Sequence, residues 1–412
     1  MSKLPKYNIL VLCFDRAPFD WFEASFVCAE EFPILHQLAR EGVRFRYAYT
    51  NAPETLAAGA SLWTGLFPAS HGATTEFPHL AARGRRTLPG ELHALGYRTA
   101  AFVPTGEWSA DRGFAEDIDD LIANGWRRTW MERAWDAGRQ RLSRWLRRQD
   151  RQAQRINLAF FRWLDRMEQG QPFFAVLHYP ADAPGAENLD SPSRVRSSVV
   201  ESSQRLQDLV RALEQRGRWE NTLLAVCAVR GCALDVAPGA SLDPLSEPVV
   251  RIPFLLRVPA PGPAGFVVEE FAQLTDLAPT LLWWAGATEQ GLERFPGRVL
   301  LRGAIATKGP EFVVVEEYRN ATSLTTGKSS LRRRLLRTRR YRFVWKSDGT
   351  VELYDVVSDP RSTQDLAWVA PNEAVALQAK LFDWLAAQDL FQLPIGATAS
   401  SPERLGRLGA RS

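Results

Sequence analysis

Asp15 is a candidate functional residue because of its carboxylate and its position in the chain. It follows residues 7–14 (YNILVLCF), a continuous apolar run that is typical of a buried parallel strand. Open α/β sheets bind ligands at the carboxyl ends of such strands, so a carboxylate here predicts a contact with a ligand or a metal ion. A carboxylate that caps a helix or shapes a turn would look the same, and that interpretation stays open.

A second segment with candidate functional residues covers residues 51–72 (NAPETLAAGASLWTGLFPASHG). A Pro-Glu-Thr turn leads into a run of small residues, which predicts a strand end that feeds a short helix with its backbone close to another group. The free N–H groups and the dipole at the start of such a helix attract anions. His71, which follows the turn at Pro68, is expected to shape a loop.

The elements that must position these residues recur along the chain. Apolar runs predict strands at 43–48, 171–178 and 221–233, and amphipathic patterns predict helices at 32–42, 201–217 and 273–287, with a helix and then a strand within 87–103. After residue 309 the pattern changes to β-like runs at 311–318, 341–345 and 351–355, followed by a helix at 373–387. A chain of 412 residues can hold one large α/β domain and a smaller one.

Composition describes an ordinary globular protein with few clues to its location. Hydrophobic residues make up 45% and charged residues 24%, and the net charge is +4. Almost all of the positive charges are carried by arginine rather than lysine. The four cysteines (Cys13, Cys28, Cys227 and Cys232) lack metal-type spacing, and those in apolar runs are typical of reduced core cysteines. We find neither a signal-peptide pattern nor an apolar run of membrane-spanning length, and therefore expect a cytoplasmic protein.

Several of these stretches resemble the sulfatase family of the alkaline phosphatase superfamily. The family's nucleophile segment reads Cys or Ser, then x-Pro-Ser-Arg, or Thr-Leu-Pro-Ser-His in one branch; this chain has Thr55-Leu56-Ala57-Ala58-Gly59 before ASLWTG. Residues 32–48, 273–287 (QLTDLAPTLLWWAGA) and 352–360 also follow family patterns.

The resemblance implies a fold and a domain plan. We expect a central, mostly parallel sheet flanked by helices in an α/β domain at 1–308, with an Arg/Trp-rich helical insertion at 126–166. A small C-terminal antiparallel sheet with a helix is expected at 309–395, and a disordered tail at 396–412.

The resemblance also implies that the hydrolytic site is degenerate. Asp15 matches a metal-ligand position and Thr55 the nucleophile, but Val229 and Arg230 replace the family's ligating Asp and His. Val has no lone pair, and a guanidinium offers none at any accessible pH. Two remaining ligands, one of them neutral, will not hold a catalytic cation. We therefore expect no metal and no cofactor.

Three functions remain open on this scaffold. The first is a non-hydrolytic binding or partner protein. The second is an enzyme with a repurposed site, metal-free or with relocated ligands, and with thiol chemistry at Cys13, Cys227 or Cys232 included. The third is an ordinary hydrolase that uses Thr55 with Mg²⁺, Mn²⁺, Ca²⁺ or Zn²⁺. The candidate site residues are Asp15, Asp20, Thr55, Gly59, His178, Asp182, Arg230 and Glu247, with Asp235 as a further relocated ligand.

Two predictions about charge follow. If Asp15 and Arg230 converge, the guanidinium brings its charge into the ancestral metal position and compensates a carboxylate that would otherwise be buried and unpaired. Residues 126–166, which interleave Arg with Trp, could bind a protein partner or lie on an anionic membrane, although a solvated helix packed on the domain would explain them too. A small anionic or polar ligand at the vestigial site stays open, and nucleic acid is disfavoured.

Overall fold

The computed structural model describes residues 6–23, 32–75, 77–80, 87–104, 108–123, 150–180, 192–232, 242–323 and 327–388. The larger of its sheets has eight strands: β1 (Asn8–Arg16), β2 (Val43–Tyr49), β3 (Arg98–Val103), β4 (Asp120–Ala123), β5 (Phe173–Tyr179), β6 (Thr222–Arg230), β7 (Phe254–Arg257) and β8 (Val267–Gln273). Their order is β4-β3-β5-β1-β6-β7-β2-β8, and only β7 runs antiparallel to its neighbours. The predicted mostly parallel sheet is therefore confirmed.

The described helices are α1 (Pro33–Glu41), α2 (Thr55–Thr64), α3 (Pro68–His71), α4 (Leu88–Ala94), α5 (Asp150–Leu164), α6 (Pro192–Gln215), α7 (Glu247–Val250), α8 (Leu277–Trp284), α9 (Glu289–Leu292) and α10 (Pro371–Gln388). Helix α6 begins nine residues before the predicted start at 201, since it runs through a polar stretch without apolar periodicity. No described helix combines the length and the apolarity needed to cross a bilayer.

Helices cover both faces of the larger sheet, and the alternation of side chains along β5 shows how. Tyr179 donates a hydrogen bond to Asn157 of α5 and packs edge-on against Phe14 of β1. The preceding residue, His178, points to the opposite face because successive strand residues alternate. That face is the one covered by α2, which contacts β6 and packs on α4 and α8. β1 suits a strand covered on both faces, since Ile9 through Cys13 have no exposed surface.

The smaller sheet is antiparallel, with strands β11 (Phe312–Ser323), β12 (Gly327–Thr338), β13 (Tyr341–Lys346) and β14 (Val351–Asp355) in sequential order. A two-stranded pair, β9 (Leu301–Arg302) and β10 (Ile305–Ala306), precedes it. Helix α10 packs on the smaller sheet through Leu377 and Leu381, which confirms the predicted C-terminal architecture. The division of the chain at 308/309 stays a prediction.

Strand β12 was not predicted, and its charges explain why. Its arginines are paired within the protein: Arg333 with Glu317 and Arg334 with Glu316, both on β11. Glu316 and Glu317 have 0% and 1% exposed side chains, so these ion pairs lie inside the protein. A strand that buries charge in pairs lacks the apolar alternation by which strands are recognised in a sequence.

Candidate functional site

Asp15 and Thr55 meet at the carboxyl edge of the larger sheet. Asp15 is near the end of β1, and Thr55 is the first residue of α2, which begins after the turn at 51–54. The Thr55 hydroxyl donates a hydrogen bond to Asp15 Oδ1 at 2.7 Å. A carboxylate at the end of one strand and a hydroxyl at the start of the helix after another thus form the centre of the candidate site.

Arg230 completes this centre from β6, the strand next to β1. Its Nη2 lies 3.8 Å from Asp15 Oδ2, and the two side chains are 30% and 15% exposed. The convergence on which the charge-compensation hypothesis depends is therefore observed, as an ion pair rather than a direct hydrogen bond. Asp15 thus faces a hydroxyl on one carboxylate oxygen and a guanidinium on the other.

Gly231 holds the chain that follows Arg230. Its N–H donates to the Val249 carbonyl at 2.8 Å, next to the end of α7. A Cβ on Gly231 would lie 2.2 Å from the Arg251 carbonyl oxygen and 2.3 Å from that of Pro248, so only glycine allows this close approach of two backbones. The end of β6, and with it the start of the Arg230 side chain, is clamped in place.

The residues around Asp15 do not fit a divalent cation. Asp15 falls between two pairs in register, Phe14 with Ala228 and Arg16 with Arg230, so its neighbour on β6 is Val229. The position beside the carboxylate is thus a hydrocarbon, and the next one carries a positive charge, which repels a cation. Among the described residues no group of three or more His, Cys, Asp and Glu could hold a metal ion. Asp182 and Asp235, two of the predicted relocated ligands, lie outside the described residues.

Trp108 covers the start of α2 and was not predicted as a site residue. Its indole N–H donates to the Thr55 carbonyl at 3.1 Å, and the side chain is buried. A Cβ on Gly59 would lie 2.1 Å from two atoms of the indole, so the ring occupies the space that any side chain at 59 would need. Gly59 itself could have indicated that another group fills this space, since the family pattern has Arg or His at that position.

His178 lies under the same indole. The two rings stack with centroids 4.1 Å apart and an interplanar angle of 17°, and Phe114 stacks on the indole at 5.8 Å. Burial lowers the pKa of His178 to about 4, although the nearby Asp15 carboxylate opposes the shift. Both ring nitrogens are buried without a hydrogen-bond partner among the described residues. His178 is therefore a neutral, buried ring at neutral pH, next to the site, and no group of the described residues hydrogen-bonds to it.

Ser61 and His71 form a serine–histidine contact, but the imidazole proton lies between the two side chains, so the histidine cannot act as a base toward the serine. Ser61 Oγ lies 3.1 Å from His71 Nε2, and the Ala73 N–H donates to His71 Nδ1 at 3.1 Å. Because Nδ1 accepts, Nε2 carries the proton and donates it to Ser61, so the imidazole cannot take the serine proton. His71 instead ties α3 to α2, in keeping with the loop-shaping role expected from the sequence.

The thiols behind the site are unsuited to nucleophilic chemistry. Cys13 and Cys227 are paired in register on β1 and β6, and both are free and fully buried. Burial raises the pKa of the Cys13 thiol well above its usual value, and the neighbouring Cys227 raises it further. The reactive thiolate is therefore suppressed. Cys232 is half-buried beyond the end of β6.

Glu247 and Asp20, two further candidates, form hydrogen bonds of their own. Glu247, at the start of α7, accepts a hydrogen bond from Tyr49 at 2.6 Å and one from Arg337 Nε at 2.9 Å. It thereby joins the larger sheet to β12. Asp20 lies in the turn after β1, where its carbonyl accepts from the Glu23 N–H at 2.8 Å.

The fold and the sequence together define a class of protein. A sequence profile of the sulfatase family matches residues 8–287, more than half of the chain, and the chain belongs to that family. No curated protein matches it significantly.

Solved structures with the same fold include two phosphonate monoester hydrolases. That of Agrobacterium radiobacter is 18% identical, with a TM-score of 0.72 over 93% of this chain and 96% of its own. That of Silicibacter pomeroyi is 18% identical, with a TM-score of 0.71 over 94% and 96%. A protein described as a putative sulfatase from Bacteroides thetaiotaomicron is 17% identical, with a TM-score of 0.69 over 93% of each chain. At this identity the likeness establishes the fold alone.

Proposed function

We propose that this chain is a sulfatase-fold protein that does not hydrolyse esters and acts as a non-catalytic binding partner. The observation that carries the proposal is the placement of Trp108. Its indole lies in the space over Gly59 and is bonded to the Thr55 carbonyl at 3.1 Å. The family pattern has an Arg or His at position 59, so the indole stands where that site side chain would be.

The hydroxyl of Thr55 supports the same proposal. Hydrolysis needs an activated nucleophile together with a cation or other group that stabilises charge on the ester oxygens. Here the Thr55 proton is held by Asp15 at 2.7 Å, and the donor set beside Asp15 does not fit a divalent cation.

The test compares the wild-type protein with Thr55→Ala, each supplied in turn with Mg²⁺, Mn²⁺, Ca²⁺ and Zn²⁺. We expect no hydrolysis of phosphate, phosphonate or sulfate monoesters that differs between the two proteins. In a strain that lacks the gene, Thr55→Ala should restore the wild-type phenotype as well as the wild-type gene does. Turnover that disappears in Thr55→Ala, or a variant that fails to complement while folding normally, would overturn the proposal.

The second candidate function is a metal-free enzyme, and the Thr55–Asp15 hydrogen bond favours it. In such a step Thr55 Oγ would bond to the phosphoryl or acyl centre, its proton would pass to Asp15 Oδ1, and the bond to the leaving oxygen would break. An alkyl fluorophosphonate is a direct probe, since it would replace its fluoride with Thr55 and leave an adduct visible by mass spectrometry. We expect no adduct at Thr55.

For the partner we propose the Arg/Trp-rich segment 126–166, as either a protein-binding or an anionic membrane surface. Residues 124–149 lie outside the described residues. In α5, which is described, Arg155 and Arg162 are exposed, and Leu158 between them is 43% exposed. Cosedimentation with phosphatidylserine vesicles and with neutral vesicles tests the membrane alternative: binding to the anionic vesicles alone supports it, and binding to neither rules it out and leaves the protein-binding surface.

A further inference from the structure

We infer that the guanidinium of Arg230 has taken over the charge-balancing role of a cation at Asp15, so that Arg230 and a divalent cation exclude each other from this site. The inference deepens the proposed function and shares with it the premise that the site works without metal. It goes further, because it states what prevents a metal from binding and which change would let one bind again.

The position of the guanidinium supports the exclusion. Arg230 Nη2 is 3.8 Å from Asp15 Oδ2, and Asp15 Oδ1 already accepts from Thr55 at 2.7 Å. A cation bound to Asp15 would have to displace one of these contacts and lie close to a fixed positive charge. Coulomb repulsion between the two cations, in a site where the carboxylate is only 15% exposed, opposes that displacement.

The backbone nevertheless keeps the geometry of a ligand site. In register, Val229 stands beside Asp15 on the neighbouring strand, and residues opposite each other point to the same face of the sheet. A carboxylate at 229 would therefore face that of Asp15. The clamp on Gly231 holds the end of β6 in place, and from there the Arg230 side chain reaches Asp15. Two side chains, rather than the fold, separate this site from one that takes a cation.

The experiment measures the binding of Mn²⁺ to the chelator-free full chain by isothermal titration calorimetry and electron paramagnetic resonance. The proteins are the wild type, Arg230→Lys, Val229→Asp, and the double variant Val229→Asp/Arg230→His. We expect one Mn²⁺ per chain in the double variant alone, because Arg230→Lys keeps the positive charge and Val229→Asp keeps the guanidinium. Adding Asp15→Asn to the double variant should weaken binding at least about tenfold, since it removes a charged ligand.

Two results would overturn the inference. One is stoichiometric Mn²⁺ binding by the wild type that is lost in Asp15→Asn. The other is a double variant with wild-type circular dichroism that binds no Mn²⁺. If the double variant does not fold, Val229→Asp/Arg230→Gln decides: its melting temperature should rise with Mn²⁺ while those of the wild type and Val229→Asp do not. Absence of that difference also refutes the inference.

Failure of this inference is distinguishable from failure of the proposed function. Thr55-dependent ester hydrolysis without bound metal would overturn the proposed function and leave the exclusion of cations by Arg230 intact. Wild-type Mn²⁺ binding at Asp15 without any turnover would do the reverse.

Discussion

Replacing Gly59 by Ala tests whether the indole of Trp108 truly fills the space over α2. In an ordinary helix interior this substitution stabilises by up to about 1 kcal/mol, because glycine loses more backbone freedom on folding than alanine does. Here the added methyl group would lie 2.1 Å from Cε2 and Nε1 of Trp108. We therefore expect the opposite sign, a loss of stability.

The size of the loss follows from what the indole would have to give up. Relief of the clash moves the ring by more than an ångström, at an overpacking cost of about 1–3 kcal/mol. The hydrogen bond from Trp108 Nε1 to the Thr55 carbonyl, now 3.1 Å long, would break at a cost of about 1 kcal/mol. After the gain in helix propensity is subtracted, Gly59→Ala should destabilise the protein by about 1–3 kcal/mol.

Urea unfolding of four proteins measures this: the wild type, Gly59→Ala, Trp108→Ala and the double variant. Once the indole is gone, Gly59→Ala should become stabilising by up to about 1 kcal/mol, so the two sites should show a coupling energy of about 2–4 kcal/mol. Gly291→Ala in α9 is the matched control, because its Cβ would meet nothing closer than 3.4 Å and should be tolerated. A Gly59→Ala protein as stable as the wild type, or the same effect of Gly59→Ala with and without Trp108, would refute the packing described here.

Three further predictions concern stability. Burial lowers the pKa of His178 to about 4 from an ordinary value of 6.5, so the wild type should lose stability as pH falls from 6.5 towards 4. In urea titrations, His178→Phe should be close to wild type at pH 7.5 and should lack about 3 kcal/mol of that loss at low pH. Burial raises the pKa of Asp243, but the positive charges of Arg333 and Arg342 lower it by more, so the net shift is downward. Asp243→Asn should therefore lower the free energy of unfolding by about 1–3 kcal/mol at pH 7. The difference in unfolding free energy from wild type should shrink as pH falls below about 4, and a difference that stays the same would contradict the prediction. Leu381→Ala on α10, whose side chain has no exposed surface, should cost about 2–5 kcal/mol by thermal and urea unfolding, whereas Val375→Ala, at a position 67% exposed, should cost under about 0.5 kcal/mol.

Much of the fold could be predicted from the sequence because its signals are local. The runs that became β1, β5 and β6 are continuous apolar stretches, and a strand covered on both faces announces itself in that way. Strand β12 was not predicted, because arginines paired with glutamates on β11 interrupt its apolar alternation. The ion-pair partner of a charged side chain comes from another part of the chain, so it cannot be predicted from local periodicity.

The candidate site divides in the same way. That Val229 and Arg230 cannot ligate a metal follows from their side chains alone, since one has no lone pair and the other carries a positive charge. That Arg230 approaches Asp15, 215 positions away in the chain, depended on β1 and β6 lying side by side. The residue types therefore determine which chemistry is impossible here.

What fills the site instead depends on how elements far apart in the chain pack together. Trp108 and Gly59 are separated in the chain by α3, α4 and β3, yet the indole rests on the glycine and stacks on His178 of β5. Glu247, a candidate by its place in the sequence, is drawn to Tyr49 and Arg337 by the docking of the smaller sheet. Side-chain type determines what a residue is able to do, but the packing of distant elements determines which group it meets.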